Sequence, residues 1–397
     1  LIDNDRQWLI FQLEHIHKQE NIFIDHWAQP IFKWTLKVRY PEWNTFIEEV
    51  SRRQNIPTLK IIVKYMWIYF KEESMICYRN PLHHAVAESN IEFVQLLIKS
   101  GINLEMRDPT GWTPLHYACR HSNMEIIQLL IKHLPTFDAS SRTNKGWTIF
   151  HIAVENSDPQ IAKLILDTFR FEDIRDEQGW TMLHHAVAFG PKETIEFLIE
   201  SRHSLGINIE ERTNNAIANT ILHLACWYRD IEFVDFVHNA LEEINSDIDF
   251  DTRNHWQESP LHAACMNKNS DVAIQLLQRF PDKINVSGRY ETHVLHYACE
   301  YGHVELLKYI FGNPDFDIDF NVKNQYGNTP LNIACFTGQF EAVKLLLEHS
   351  NEKEIDIYQK NNYQQTAEDL ARLKGHKDIL ELLELWTLPK KIAADKA

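Results

Sequence analysis

Along most of the chain the apolar residues come in short bursts at helical spacing rather than alternating as they would in strands. Val94, Leu96 and Leu97 are followed at regular intervals by Ile127, Leu129 and Leu130, then by Ile274, Leu276 and Leu277, by Val343, Leu345 and Leu346, and by Ile379, Leu382 and Leu383. Each burst fits one buried face of a helix of two to three turns. Ahead of these helices stands a more uniform marker, Leu-His or its equivalent, at Leu82-His83, Leu115-His116, Phe150-His151, Leu183-His184, Leu222-His223, Leu261-His262, Leu295-His296 and Leu331-Asn332, with a worn copy around Thr366, Asp369 and Leu370. By subtraction the markers lie 33 to 39 positions apart. The chain is therefore a repeat array, and each unit predicts two helices.

The clearest unit begins Gly111-Trp112-Thr113-Pro114-Leu115-His116-Tyr117-Ala118-Cys119. Thr113 can cap a helix N-terminus, and Pro114 at the first helical position fixes φ where no backbone donor is needed. Leu115, Ala118 and Cys119 then form a small apolar face that lets a neighbouring helix approach closely. A turn follows, with Gly190, Gly302, Gly338 and Gly375 at equivalent places, and the expectation there is a helix end in positive φ. Extra residues fall in two long connections, 201–219 and 241–259, the second of them acidic through Glu242, Glu243 and Asp247 to Asp251.

This marker and its period resemble the ankyrin-repeat family. The resemblance covers about nine repeats from residue 80, with a cryptic repeat at 45–79 whose helix pair survives while its start signature is lost. It implies an all-α ankyrin-repeat solenoid of helix-turn-helix units joined by hairpin loops. Terminal repeats of such a stack are atypical because one face has no neighbour. We divide the chain into a helical N-terminal segment at 1–79 acting as a cap, the repeats at 80–386, and a C-terminal tail at 387–397. Five of the eleven tryptophans lie in the first segment (Trp8, Trp27, Trp34, Trp43, Trp67), as expected of a compact cap that buries large rings. The chain opens on Leu1, so we expect an excerpt of a longer protein.

Composition narrows the function classes. The net charge is −16; residues 1–79 hold 11 basic and 10 acidic side chains, so the repeats carry the whole excess. That surface opposes nucleic acid and anionic lipid, which need clustered Lys and Arg, and favours a neutral or basic protein or peptide. The most apolar window, 59–70, is too short to span a bilayer and contains Lys60 and Lys64, so no direct membrane insertion is expected. Five of the six cysteines (Cys119, Cys226, Cys265, Cys299, Cys335) share one repeat position and read as small core residues. A reducing compartment, the cytoplasm in the first instance, suits them.

The 21 histidines invite a metal or catalytic reading that their spacing does not support. His83, His116, His151, His184, His223, His262 and His296 are one repeat apart, and the adjacent pairs His83-His84 and His184-His185 point to different sides of a helix. The resemblance implies that this histidine hydrogen-bonds around its own turn. There is no HExxH, no CxxC pair, no phosphate-cradling loop and no nucleophile elbow. No catalytic residue, metal site or cofactor is expected, and the chain is read as a non-enzyme.

The resemblance also implies that a partner meets the concave side, formed by hairpins and first helices. Residues there vary between repeats. Trp112, Trp147 and Trp180 precede the Thr of three consecutive signatures, after which the aromatic track moves two positions earlier, to Trp256, Tyr290, Tyr326 and Tyr363. The ends of first helices add Phe189, Trp227, Tyr228, Tyr301 and Phe336. Such rings serve either as packing between hairpins or as the aromatic anchors of a binding surface. The binding reading makes the chain a non-catalytic interaction scaffold; its alternative is a regulatory ankyrin region of a larger channel, effector enzyme or NTPase-type sensor. Finally, Asn321 in Asp319-Phe320-Asn321-Val322 resembles the loop asparagine that asparaginyl hydroxylases modify in this family, although Asn313 stands where that motif has Leu.

Overall fold

The computed structural model describes residues 81–99, 101–134, 136–169, 175–267 and 270–394; the expected N-terminal cap and cryptic repeat lie outside the described residues. The chain forms two compact units, Leu1–Glu177 and Gln178–Ala397. Among the described residues both are all-α, with a single isolated β-bridge between Ser287 and His293.

The first unit contains three helix pairs: α1 (Pro81–Ala87) with α2 (Ile91–Lys99), α3 (Pro114–Arg120) with α4 (Met124–His133), and α5 (Ile149–Glu155) with α6 (Pro159–Thr168). First helices stack on first helices, α1 on α3 and α3 on α5, while α2 stacks on α4. The second unit continues the scheme with α7 (Met182–Phe189) and α8 (Lys192–Glu200), a single-turn α9 (Arg202–Leu205), α10 (Ile221–Tyr228) and α11 (Ile231–Glu243), and α12 (Pro260–Met266) and α13 (Ser270–Arg279). It ends with α14 (Val294–Tyr301) and α15 (Val304–Gly312), α16 (Pro330–Thr337) and α17 (Phe340–Glu348), and α18 (Ala367–Lys374) and α19 (Lys377–Ala394).

Every described first helix from α3 onward starts in one way. Thr113 is extended (ψ 165°), its hydroxyl accepts from the His116 N–H, and the His116 side chain turns back to the Thr113 N–H, a reciprocal capping box. Its Nδ1 lies 3.2 Å from that nitrogen. The same box recurs with Thr148, Thr181, Thr220, Ser259, His293, Thr329 and Thr366 as caps. In several repeats the far ring nitrogen also reaches the next repeat: His223 Nε2 lies 3.0 Å from the Glu258 carbonyl oxygen and His296 Nε2 3.0 Å from that of Asn328. With Nδ1 accepting a backbone N–H, the Nε2–H is left as the donor, so one neutral tautomer serves both ends. The expected local role of the repeat histidine is thus extended to a bond between repeats.

Close stacking follows from small side chains. Ala118 with Cys119, Ala225 with Cys226, Ala264 with Cys265, Ala298 with Cys299 and Ala334 with Cys335 are all at 0% exposure. Burial drives the Cys119 and Cys265 thiols up to about 12, so they stay protonated and behave as small hydrophobes. The hairpins pair as well: Asn144 N–H donates to the Thr110 carbonyl at 2.9 Å, Gln325 N–H to that of Tyr290 at 2.8 Å, and Asn362 N–H to that of Tyr326 at 3.1 Å.

Three expectations change. Gly302, Gly338 and Gly375 do take positive φ (70°, 79°, 79°), but Gly190 is extended at φ −80° and ψ 167°. Pro191 follows it, and the proline ring excludes helical conformations from the residue before. The connection expected at 241–259 begins later, because α11 runs to Glu243 with Val237 and Leu241 both at 0% exposure. Likewise α19 continues past Trp386 to Ala394, as Ile379, Leu383 and Thr387 keep one buried stripe at a spacing of four.

Candidate interaction surface

In the first unit the two predicted rings are half-buried and engaged. Trp112 lies 5.2 Å from Tyr117, whose hydroxyl donates to Asp108 Oδ2 at 2.8 Å. Burial pushes the Asp108 carboxyl up, but hydrogen bonds from Thr110, Trp112 and Tyr117 outweigh it and hold the group below its usual range. Trp147 carries the Lys145 ammonium 5.2 Å from its ring centre.

The second unit gathers the remaining rings into two groups and two outliers. In the first group Trp180 is only 7% exposed and forms a floor: Phe189 stacks on it at 6.2 Å, Tyr228 meets it edge-on at 5.9 Å, and Phe189 and Tyr228 are 5.1 Å apart. Phe189 and Tyr228 nevertheless remain 47% and 42% exposed. Trp227 sits beside Tyr228 at 6.4 Å. These four side chains come from one hairpin, which supplies Trp180, and from the last turns of α7 and α10, which supply the other three.

The second group lies on hairpin tips. The Arg289 guanidinium stands 3.8 Å from the centre of Trp256 and 4.5 Å from that of Tyr290, and it donates to the Tyr290 hydroxyl at 2.6 Å. Tyr290 and Tyr326 are 5.4 Å apart. This hairpin is unusual: Gly288 replaces the Asn or Asp that accepts two backbone N–H groups in hairpins such as Asn324 to Asn328, and Tyr290 and Glu291 both adopt positive φ, 56° and 57°. A side chain at 288 would meet the His262 ring at 3.2 Å and Glu258 Cγ at 3.3 Å, which accounts for the glycine. The outliers are Tyr301, half-buried near His303, and Phe336, 40% exposed under the Lys374 ammonium at 4.2 Å.

Sequence reasoning missed the charges around these rings. Glu258 stands at the position held by Trp in earlier repeats and is 1% exposed; it accepts from the Tyr297 hydroxyl at 3.0 Å and from Asn254 at 3.1 Å. Burial raises its carboxyl above the usual range despite those bonds and the nearby Arg289. Glu300 is raised by burial as well. The signal available in sequence was a carboxylate in a position otherwise aromatic, polar and uncharged. Asn321 acts as a clamp between loops: its amide donates to the Glu354 carbonyl at 2.9 Å and accepts from the Asp356 N–H at 2.7 Å. Among the described residues no group of three or more His, Cys, Asp or Glu side chains is placed to hold a metal ion, and no helix is long and apolar enough to cross a membrane.

Comparison with known proteins bears on the repeats themselves. A family model described as ankyrin repeats (3 copies) matches residues 50–141, 132–213, 172–248, 222–324 and 295–385. A human protein, SH3 and multiple ankyrin repeat domains protein 2, is 30% identical over 92 residues, which is 23% of this chain and 5% of that protein. The match therefore spans a small fraction of that relative's length. With family matches reaching from residue 50 to residue 385, and helix pairs repeating through the described part of that span, the chain belongs to the ankyrin-repeat family.

Proposed function

We propose that this chain is a non-catalytic interaction module that binds a protein or peptide, and that Phe189 and Tyr228, on their Trp180 floor and beside Trp227, form its principal anchor. Ankyrin repeats generally mediate protein–protein interaction, and the family is typically non-catalytic. The observation that carries the finer reading is a preformed patch of rings, packed on one another yet with Phe189 and Tyr228 47% and 42% exposed. Aromatic side chains already held in place lose little entropy on binding and dominate interface energetics. With a net charge of −16 the preferred partner is neutral or basic and is not a nucleic acid.

The test is a selection from a displayed random-peptide library on the wild-type chain, followed by calorimetric affinities on variants. Phe189→Ala, Tyr228→Ala and Trp227→Ala are each expected to weaken the selected ligands by about 1 kcal/mol or more, roughly fivefold. Tyr358→Ala, at an exposed ring on a loop, is the control and should change little. Ligands indifferent to all three anchor substitutions would remove the reading. A second reading treats the chain as the ankyrin region of a larger multidomain protein; it is favoured by the relative above, whose name joins such repeats to an SH3 domain.

A further inference from the structure

The row of side chains four residues after the marker histidine, or its equivalent, near the end of each first helix in the second unit is apolar, with one exception. Counting from the Leu-His marker, Ala188, Trp227, Met266, Phe336 and Leu373 occupy it, and Glu300 interrupts it between Met266 and Phe336. A carboxylate half-buried among such neighbours is unfavourable unless a cation or donors answer it. The first unit shows the chain's own answer. Glu155 holds the equivalent place on α5, and Arg120, in the same row on α3, meets it at 3.4 Å. At Glu300 no such arginine exists in the row, and among the described ion pairs Glu300 has none.

The surroundings sharpen what would fit. Glu300 and Tyr301 follow Tyr297 by three and four residues, so each lies one turn from it along α14 and flanks it on that side of the helix. Behind Tyr297, its hydroxyl bond to Glu258 at 3.0 Å places a second carboxylate, 1% exposed, one side chain deeper. The nearby Arg289 answers the Glu258 carboxylate only in part, since burial still raises that group, and its guanidinium is held by the Trp256 and Tyr290 rings and the Tyr290 hydroxyl. It does show that aromatic faces on this side of the repeats accept a flat cation. An arginine can stack on a ring while giving paired N–H groups to a carboxylate, which an ammonium cannot do.

We propose that the face of α14 bearing Glu300 and Tyr301, backed by Glu258, receives an arginine side chain of the bound partner, which takes the place at Glu300 that Arg120 has at Glu155. This rests on the interaction reading above and specifies its ligand. Stacked first helices lie about 8–10 Å apart, so Tyr228 and Tyr301, two repeats apart, are separated by roughly 20 Å. An extended partner would span that with about six residues, between an apolar anchor residue and the arginine.

The site can be tested apart from any selected ligand. Met266, neighbour to Glu300 in the row, is one of six methionines, and its 13C-labelled methyl resonance is assignable through Met266→Leu. In the full chain, N-acetyl-arginine methylamide should shift that resonance saturably. The citrulline analogue, uncharged and nearly isosteric, should give at least a fivefold smaller response, the lysine analogue should bind at least threefold more weakly, and Glu300→Gln should lose the arginine response. Equal responses to citrulline, a lysine analogue as effective as arginine, or an unchanged titration in Glu300→Gln would each overturn the proposal; circular dichroism of the variant checks its fold. The peptides selected above separate the two readings. Ligands that require Phe189 and Tyr228 yet ignore Glu300→Gln leave the interaction module standing and reject the arginine site.

Discussion

At the scale of one residue, the repeat histidine does two jobs that a shorter side chain cannot both do well. His223 Nδ1 accepts the Thr220 N–H at 3.4 Å while Nε2 meets the Glu258 carbonyl oxygen at 3.0 Å, both within a buried seam. His223→Ala leaves the Thr220 N–H without its partner, leaves the Glu258 carbonyl with the Asn254 N–H alone, and opens a cavity, at a cost of about 3 kcal/mol. The chain contains its own milder substitute. Asn332 accepts the Thr329 N–H at 3.0 Å and donates to the Gln359 carbonyl at 3.5 Å, so the amide reproduces the cap closely and the inter-repeat bond weakly. We therefore expect His223→Asn to lose about half as much stability as His223→Ala in urea unfolding. Equal losses in the two variants would show that ring packing, not hydrogen bonding, sets the cost.

At the scale of the element, the same positive-φ conformation tolerates a side chain in one place and not in another, at the hairpin tip of Gly146 and at Gly101 just past the end of α2. Gly146 has φ 77°, and a Cβ there would come within 2.6 Å of the Glu177 backbone nitrogen. Gly101 has a similar φ of 79° with nothing within 4 Å of its Cβ direction. Gly101→Ala should therefore cost only the conformational penalty, about 1 kcal/mol, whereas Gly146→Ala should cost at least twice that because the paired hairpin must move. Thermal melts of the two variants compare them directly, and matching losses would contradict the steric argument. Much of this level was legible in the sequence, since Thr-Pro, Leu-His and the apolar triads act locally. What was not legible depended on neighbours. Gly190 was misassigned because the proline after it overrides the repeat pattern, and 241–259 was placed too early because α11 keeps its buried stripe through Leu241. The aromatic positions were readable as a set, but exposure was not. Trp180 lies at 7% and Phe189 at 47% because Phe189 and Tyr228 pack against Trp180. Glu258, Arg289 and Glu300 were passed over because a charge on a hairpin or helix end normally reads as solvated.

At the scale of the molecule, the repeated histidine makes stability depend on pH. Burial depresses His116 and His262 to about 3 and His223 and His296 to about 4, from an ordinary value of 6.5. Well above pH 6.5 these imidazoles are neutral whether the chain is folded or not, and they add no pH dependence. Below it the unfolded chain binds protons that the folded chain refuses, so stability falls as the pH drops and goes on falling until the folded values near 3 to 4 are reached. Each histidine contributes about 1.4 kcal/mol per pH unit once the unfolded form is fully protonated. Glu258 and Glu300 act in the opposite sense, since burial raises their carboxyls and folding then favours their protonated forms as the pH falls toward 4.5. Two carboxyls cannot offset four imidazoles. Because each repeat is stabilised by its neighbours, the loss should appear in every unfolding transition whose repeats contain a neutral buried histidine. The urea midpoint is therefore expected to be level between pH 8 and about 7 and to decline steadily from about 6.5 to 5. His223→Asn with His262→Asn should start lower at pH 7.5 yet show a visibly shallower decline, because the amide caps without titrating. A wild-type midpoint that stays flat down to pH 5, or an unchanged slope in the double variant, would mean that the buried imidazoles are not the groups that take up the protons.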